Sequence, residues 1–373
     1  MKYYIIAGEA SGDLHASNLM KALILKDADA SFRAWGGDQM QKQGAHLVKH
    51  YKDLAFMGFI EVLFNIRTIW KNINFCKKDI REYRPDVVIL VDYPGFNLRI
   101  AAFVKSIGIP VAYYISPQVW AWKQSRVFKI KKVVDCMICV LPFEKNFYKQ
   151  YDFEVHYVGH PLLDIADIDK KENNDNDKEA TDAAAQLPLI GLVPGSRRQE
   201  ISRMLPLMIR ACEHLHGYRF VVAAVRSVPE DFYKSIQGDF LCELRFDAMD
   251  YICHHAVAAM ITSGTASLQA ALNGLPHLVC YKGNILSYWI AKRLVKIKYI
   301  TLTNLILDRP AIKEFIQNEL TVPNMVQEMH RLLSDNEHRL ALKQSFDDLR
   351  NKLGGSGASE RAATVILNMI KTV

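Results

Sequence analysis

The sequence lacks paired cysteines, a long apolar run and a strong excess of charge. Its seven cysteines, Cys76, Cys136, Cys139, Cys212, Cys242, Cys253 and Cys280, are scattered through 373 residues. An odd number, mostly within apolar runs, excludes a disulfide framework and predicts buried free thiols of a reducing compartment. The one Cys-x-x-Cys, Cys136 to Cys139, sits in a run (133–141) that reads as a buried strand. Its two sulfurs then face opposite ways, and no second pair completes a zinc site. No window of about 18 uncharged apolar residues is present, so no transmembrane helix is expected. The opening MKYYIIAGEASGD is too briefly apolar for a signal peptide and runs directly into a Gly/Asp turn. The expected location is cytoplasmic. The balance of 47 basic and 40 acidic residues gives +7. Without any familiar nucleic-acid motif, that excess is too small to point to nucleic acid as a partner. There is no short-period repeat.

What is present is globular: 50% apolar and 23% charged residues, with a length suited to two domains. Short, nearly continuous apolar runs (2–8, 86–92, 110–116, 135–141) alternate with amphipathic helical stretches. A polar stretch, DIADIDKKENNDNDKEATDAAAQ, interrupts them, and the alternation resumes at 187–194, 218–225, 256–262 and 276–281. Such runs form parallel sheets covered on both faces. The expected fold is α/β, with two Rossmann-like doubly wound domains facing a central cleft. The boundaries are 1–165, a polar linker at 166–186, 187–345, and a helical tail at 346–373 packing back on the first domain. From 311 onward the chain reads as helical. Ligands in such folds bind at the carboxyl ends of strands.

Seven motifs end strands; two of them, LPFE (141–144) and VGHP (158–161), read as a helix cap and a domain-edge turn, and five are candidates for chemistry. Gly8-Glu9-Ala10-Ser11-Gly12-Asp13 follows the first strand. It is not GxGxxG, and its two carboxylates would repel a pyrophosphate, so a neutral polyol fits better than a phosphate. His15, in the first helical turn, is a candidate base, or simply a solvated side chain. Asp92, in Asp92-Tyr93-Pro94-Gly95-Phe96-Asn97, is a candidate general base, or a turn cap. Ser116-Pro117-Gln118-Val119-Trp120-Ala121-Trp122 offers Trp120 and Trp122 as packing, or as a wall for an apolar group. In Pro194-Gly195-Ser196-Arg197-Arg198, Ser196 is placed to cap a helix, whose dipole and Arg197 make a metal-free anion site. Ser263-Gly264-Thr265 at another helix start forms a second anion cradle. No Asp-x-Asp follows a strand, so no metal is expected.

Two stretches suit a membrane surface. Residues 54–66, LAFMGFIEVLFNI, are very apolar for a helical segment and carry Met57, Phe59 and Val62 as candidate apolar wall residues; 288–299, YWIAKRLVKIKY, interleaves cations with apolar side chains. Lys123, Arg126, Lys129, Lys131 and Lys132 add to the basic character. Core packing beneath solvated faces is the plain alternative.

These pieces, in order, resemble the lipid-A-disaccharide synthase family. The match runs through AGEASGD (7–13), MGFIEVL (57–63), SPQVWAW (116–122), LPFE (141–144), VGHPLLD (158–164), LVPGSRRQEI (192–201), TSGTASLQ (262–269) and ASERAA (358–363). The resemblance implies the GT-B fold and an inverting hexosyltransferase of lipopolysaccharide synthesis. Such an enzyme joins UDP-2,3-diacylglucosamine to 2,3-diacylglucosamine 1-phosphate (lipid X), giving the β-1′,6-linked disaccharide phosphate and UDP. It also implies a peripheral place on the cytoplasmic face of the Gram-negative inner membrane, against anionic lipid. A homo-oligomer is compatible with the sequence. Glu9, Asp92 and Arg197 fall on family positions tied to activity; Asn304, Glu314 and Gln317 match a stretch near the donor. Two departures stand out. Gly95 replaces a second Asp of the family's turn, and Gln269 replaces a frequent Glu, leaving a neutral amide if that side chain meets the ribose. A UDP-N-acetylglucosamine 2-epimerase or another soluble UDP-sugar enzyme of the same fold is the alternative.

Overall fold

A computed structural model describes residues 1–53, 66–164, 187–283 and 298–372. The expected linker 166–186, the wall residues Met57, Phe59 and Val62, and most of 288–299 lie outside the described residues. The chain divides into two compact units, Met1–Asp164 with Gly355–Val373, and Ile165–Gly354. The expected border at 345/346 falls within one continuous helix, Asn336–Leu353; the change of unit comes at the glycines that follow it.

In the first unit seven strands are β1 (Lys2–Ala7), β2 (Ser31–Gly36), β3 (His46–His50), β4 (Val87–Val91), β5 (Val111–Tyr114), β6 (Cys136–Cys139) and β7 (His156–Tyr157). They form one sheet in the order β3-β2-β1-β4-β5-β6-β7, with every pairing parallel. The second unit has β8 (Leu189–Val193), β9 (Arg219–Ala224), β10 (Glu243–Phe246), β11 (Ala256–Thr262), β12 (His277–Tyr281) and β13 (Glu314–Ile316), ordered β10-β9-β8-β11-β12-β13, again all parallel. Both are Rossmann-like sheets of the GT-B type. β4 (VVILV) and β8 (LIGLV) are wholly buried because helices cover both faces, which is why they carry no polar alternation. Ile5, Ile89, Met137, Ile190 and Met260 are completely inaccessible.

Five strands escape a reading by apolar runs, the two-residue β7 (HY) and the polar β10 (ELRF) among them. β2 and β3 (SFRAWG, HLVKH) include polar residues. β13 lies where the sequence reads as helix: Phe315 and its neighbours instead add an edge strand to β12. Pairing to an existing edge overrides local periodicity there.

The terminal helix Ala358–Thr372 returns to the first unit and packs on the helix Ala10–Ile24. Asp164 holds it. Its carboxylate accepts the backbone N–H groups of Gly357 (2.6 Å), Ala358 (3.0 Å) and Ser359 (2.9 Å), filling the donors a helix start leaves unpaired.

Candidate active site

In each sheet the strand order reverses beside the central strand, and ligands of open parallel sheets gather at that point. In the first unit the reversal lies between β1 and β4, so Gly8-Glu9 and Asp92-Tyr93 emerge side by side. In the second it lies between β8 and β11, bringing out Gly195-Ser196-Arg197 and Ser263-Gly264.

The Asp92 corner is strained. Asp92 (φ 45°) and Tyr93 (φ 47°) are both left-handed, and so is the β-branched Ile115 (φ 66°) at the end of the neighbouring strand. Each such residue costs about 1–3 kcal/mol, so surrounding bonds must hold it. Asn97 Nδ2 donates to the carbonyls of Asp92 (2.8 Å) and Val91 (3.3 Å), and the Tyr113 hydroxyl donates to the Asp92 carbonyl (2.5 Å). The Asp92 N–H donates to the Tyr114 carbonyl (3.1 Å). Pro94 then opens the helix Pro94–Ser106, where its missing N–H is no loss. The Asp92 side chain at this corner is half-buried. Burial first, and then the charge of Glu9, push Asp92 up to about 6. A carboxylate poised there is ionised at neutral pH yet basic enough to accept a proton. A side chain at Gly95, by contrast, would meet no atom within 4 Å, so crowding does not require the glycine.

Glu9 precedes the helix Ala10–Ile24 in extended conformation and makes no side-chain cap. Asp13, the second acid of that motif, faces inward. It accepts the N–H groups of Gly37 (2.7 Å), Gln39 (3.0 Å) and Met40 (3.2 Å), so it ties the β2 loop down rather than facing a ligand. His15 is buried, not solvated, and its ring meets His160 edge-on at 6.4 Å. Burial lowers it to about 4, although Asp164 pulls the other way. A neutral imidazole that weakly basic is a poorer proton acceptor than Asp92.

Trp120 is 9% exposed and its Nε1 donates to Glu144 Oε1 (3.3 Å). Glu144, buried and raised to about 7 by desolvation, also accepts the N–H groups of Val140 (3.2 Å) and Leu141 (3.0 Å). Trp122 is 47% exposed, with the cations of Lys123 and Arg126 over its ring at 5.5 and 4.9 Å.

In the second unit, Gly195 turns with φ 110° and Arg197 becomes the N-cap of the helix Arg198–Cys212, the place expected for Ser196. Glu200 folds back beneath the turn. Its Oε2 accepts the N–H groups of Ser196 (3.2 Å) and Arg197 (3.3 Å), and its Oε1 meets Arg197 Nη1 at 3.2 Å. The Arg197 side chain is nevertheless 51% exposed. Arg198 turns away onto the ring of Phe232 (4.4 Å).

Gly264 caps the helix Thr265–Leu272, and Ser263 Oγ donates to the Ile300 carbonyl (3.4 Å). On the same helix, Gln269 Nε2 donates to Asp250 Oδ1 (2.6 Å). Asn304 and Glu314 are brought together: Asn304 Nδ2 donates to Glu314 Oε1 (2.9 Å), which also accepts from the Thr301 N–H (3.0 Å) and hydroxyl (2.6 Å), while Oε2 takes the Ile300 N–H (3.0 Å). This pair fastens the segment beside Ser263. Gln317 (φ 54°) reaches the Gly283 carbonyl at 3.5 Å.

Glu200, Asn97 and Tyr93 were not singled out from the sequence. Glu200 lies four places after the expected cap Ser196, so the capping-box spacing emerges only once Arg197 is the N-cap.

A family model described as lipid-A-disaccharide synthetase matches residues 3–368. The chain is 37% identical over 376 residues to the lipid-A-disaccharide synthase of Trichlorobacter lovleyi, covering 98% of this chain and 97% of that protein. It is 32% identical over 377 residues to that of Coxiella burnetii, covering 98% of each. Among solved structures it is similar to the UDP-GlcNAc 2-epimerase of Neisseria meningitidis bound to UDP-GlcNAc, with TM-score 0.69 and 11% identity over 100% of both chains. The UDP-GlcNAc 2-epimerase of Methanocaldococcus jannaschii aligns with TM-score 0.67 and 12% identity, over 99% of this chain and 100% of that one. At that identity the epimerases share the fold alone.

Proposed function

The chain belongs to the lipid-A-disaccharide synthase family, and from that premise we propose how its residues divide the reaction. The enzyme joins UDP-2,3-diacylglucosamine to lipid X in a β-1′,6 linkage and releases UDP. The acceptor 6-hydroxyl oxygen bonds to C1 of the donor sugar as the C1–O bond to the diphosphate breaks. Asp92 takes the hydroxyl proton. Positive charge grows at C1 and negative charge on the departing diphosphate. Arg197 and the helix start at Ser263-Gly264-Thr265 receive that negative charge, so this reading uses no metal. Glu9 sharpens the basicity of Asp92 through its charge, and Asn304 with Glu314 keeps the 300–301 segment beside Ser263 in place.

The observation that carries this reading is the Asp92 corner. Strain, three bonds to its backbone and a carboxylate raised to about 6 coincide at the reversal of the first sheet. Asp92→Asn is expected to lower turnover by at least about a hundredfold, the low end for loss of a general base, while UDP binding by calorimetry stays unchanged. Near-normal turnover would remove Asp92 from the role. Arg197→Ala is expected to weaken UDP binding; an unchanged titration would remove the anion site.

We further propose peripheral attachment to anionic lipid. None of the described helices is long and apolar enough to cross a membrane. Instead, Trp122 and Phe128 (59% exposed) stand among Lys123, Arg126, Lys129, Lys131 and Lys132, and Trp70 (54% exposed) stands beside Lys71 on the helix Ile66–Tyr83. Aromatic side chains with neighbouring cations suit the headgroup layer. Flotation with anionic vesicles at low salt is expected to carry the protein, and Trp122→Ser with Phe128→Ser is expected to reduce the bound fraction. Equal flotation of the variant would exclude this patch.

A further inference from the structure

We propose that Glu200 is a built-in counter-charge of the Arg197 anion site, a positioning residue that holds the turn together and keeps affinity for the departing diphosphate low enough for release. The inference rests on the reading of Arg197 as the diphosphate site and extends it to a residue with no role in that reading.

The turn is built around this carboxylate. A Cβ placed on Gly195 would lie 2.6 Å from Glu200 Oε2 and 2.9 Å from its Cβ, so only glycine leaves room for the side chain to pass beneath. One oxygen takes both backbone N–H groups, of Ser196 and Arg197, and the other faces the Arg197 guanidinium. Those same groups are the anion donors of this turn: two N–H groups at a helix start and a guanidinium. An acid at this position therefore does two opposed things. It orders the turn and fixes the arginine. It also places a negative charge against any diphosphate that Arg197 receives, so the local pair has no net charge.

The two effects separate in one substitution. In Glu200→Gln an amide oxygen at the Oε2 position still accepts both backbone N–H groups, since glutamine serves a capping box as glutamate does. The charge and the ion pair with Arg197 are lost. A purely structural Glu200 would leave anion affinity unchanged or lower it. A counter-charge predicts the reverse.

The experiment is calorimetric titration of the full chain with UDP, inorganic pyrophosphate and uridine, together with a thermal melt and steady-state kinetics. Glu200→Gln is expected to melt near the wild-type temperature and to bind UDP and pyrophosphate at least about fivefold more tightly, the lower end for coupling between two groups. Its affinity for uridine is expected not to change. Product inhibition by UDP should strengthen by the same factor, and kcat should fall. Unchanged or weaker UDP binding overturns the counter-charge, as does an equal gain for uridine. Loss of a cooperative melt also overturns it, because the amide is expected to keep the turn. Arg197→Ala in parallel separates the two claims. If it leaves UDP binding intact, the diphosphate reading itself fails. If it weakens binding while Glu200→Gln does not tighten it, only the counter-charge fails.

Discussion

The ring of Tyr93 occupies the space where Gly8 would carry a Cβ: the three nearest ring atoms would lie 2.4 to 2.7 Å away. The absence of a side chain at the end of β1 thus lets the left-handed residue after Asp92 fold its ring inward. Gly8→Ala must push the ring out and turn the Asp92 carboxylate with it. The expected result is a loss of turnover of about tenfold or more, the scale of misplacing a reacting group by an ångström, with UDP affinity unaltered. Wild-type turnover would show that the ring does not orient the acid.

Asp92 titrates high for a carboxylate, which fixes the pH response. The rate under kcat/KM conditions is expected to fall on the acid side with an apparent pKa near 6. An acid limb near the ordinary carboxylate value, about 4, would contradict the buried environment.

The same shift has a stability sign. Folding raises this pKa, so the folded chain holds the proton more tightly, and the associated stability is present below the unfolded value and lost as pH rises through about 6. Removing the ionisable group in Asp92→Asn is therefore expected to stabilise the fold at pH 8 by about 3 kcal/mol and to do little at pH 4. Denaturant melts of both proteins at the two pH values measure this. Equal differences at both would refute it.

Asp164→Ala leaves three N–H donors at the start of the terminal helix without their carboxylate. A destabilisation of about 1–3 kcal/mol is expected, at the upper range for a helix cap and a charged acceptor. Faster amide exchange along Ala358–Thr372 should accompany it. Unchanged exchange there would mean that packing alone holds the helix.

Gln269→Glu would set two carboxylates where an amide now donates to Asp250 at 2.6 Å. Asp250 is already raised, by burial. The variant is expected to lose about 1 kcal/mol at pH 8 and to recover it at pH 5, as one proton is shared between the acids. A pH-independent loss would point to shape rather than charge.

The alternation of apolar runs and helices fixed two parallel sheets, because a strand buried on both faces can hardly be anything but apolar. It also marked where strands end, and hence Asp92, Arg197 and Ser263 as emergent residues. The eight motifs in order pointed to the family. Other features had no local signature. β13 exists because an edge strand was waiting for it. Asp13 is spent on a loop some 24 to 27 residues downstream, and His15 is neutral because neighbours distant in sequence bury it. The strain at Asp92 and Tyr93 is bearable only because Asn97 and Tyr113 grip the backbone. Local pattern records what each segment must hide from water; pKa, strain and hydrogen-bond partners depend on which segments meet, and only the folded chain decides that.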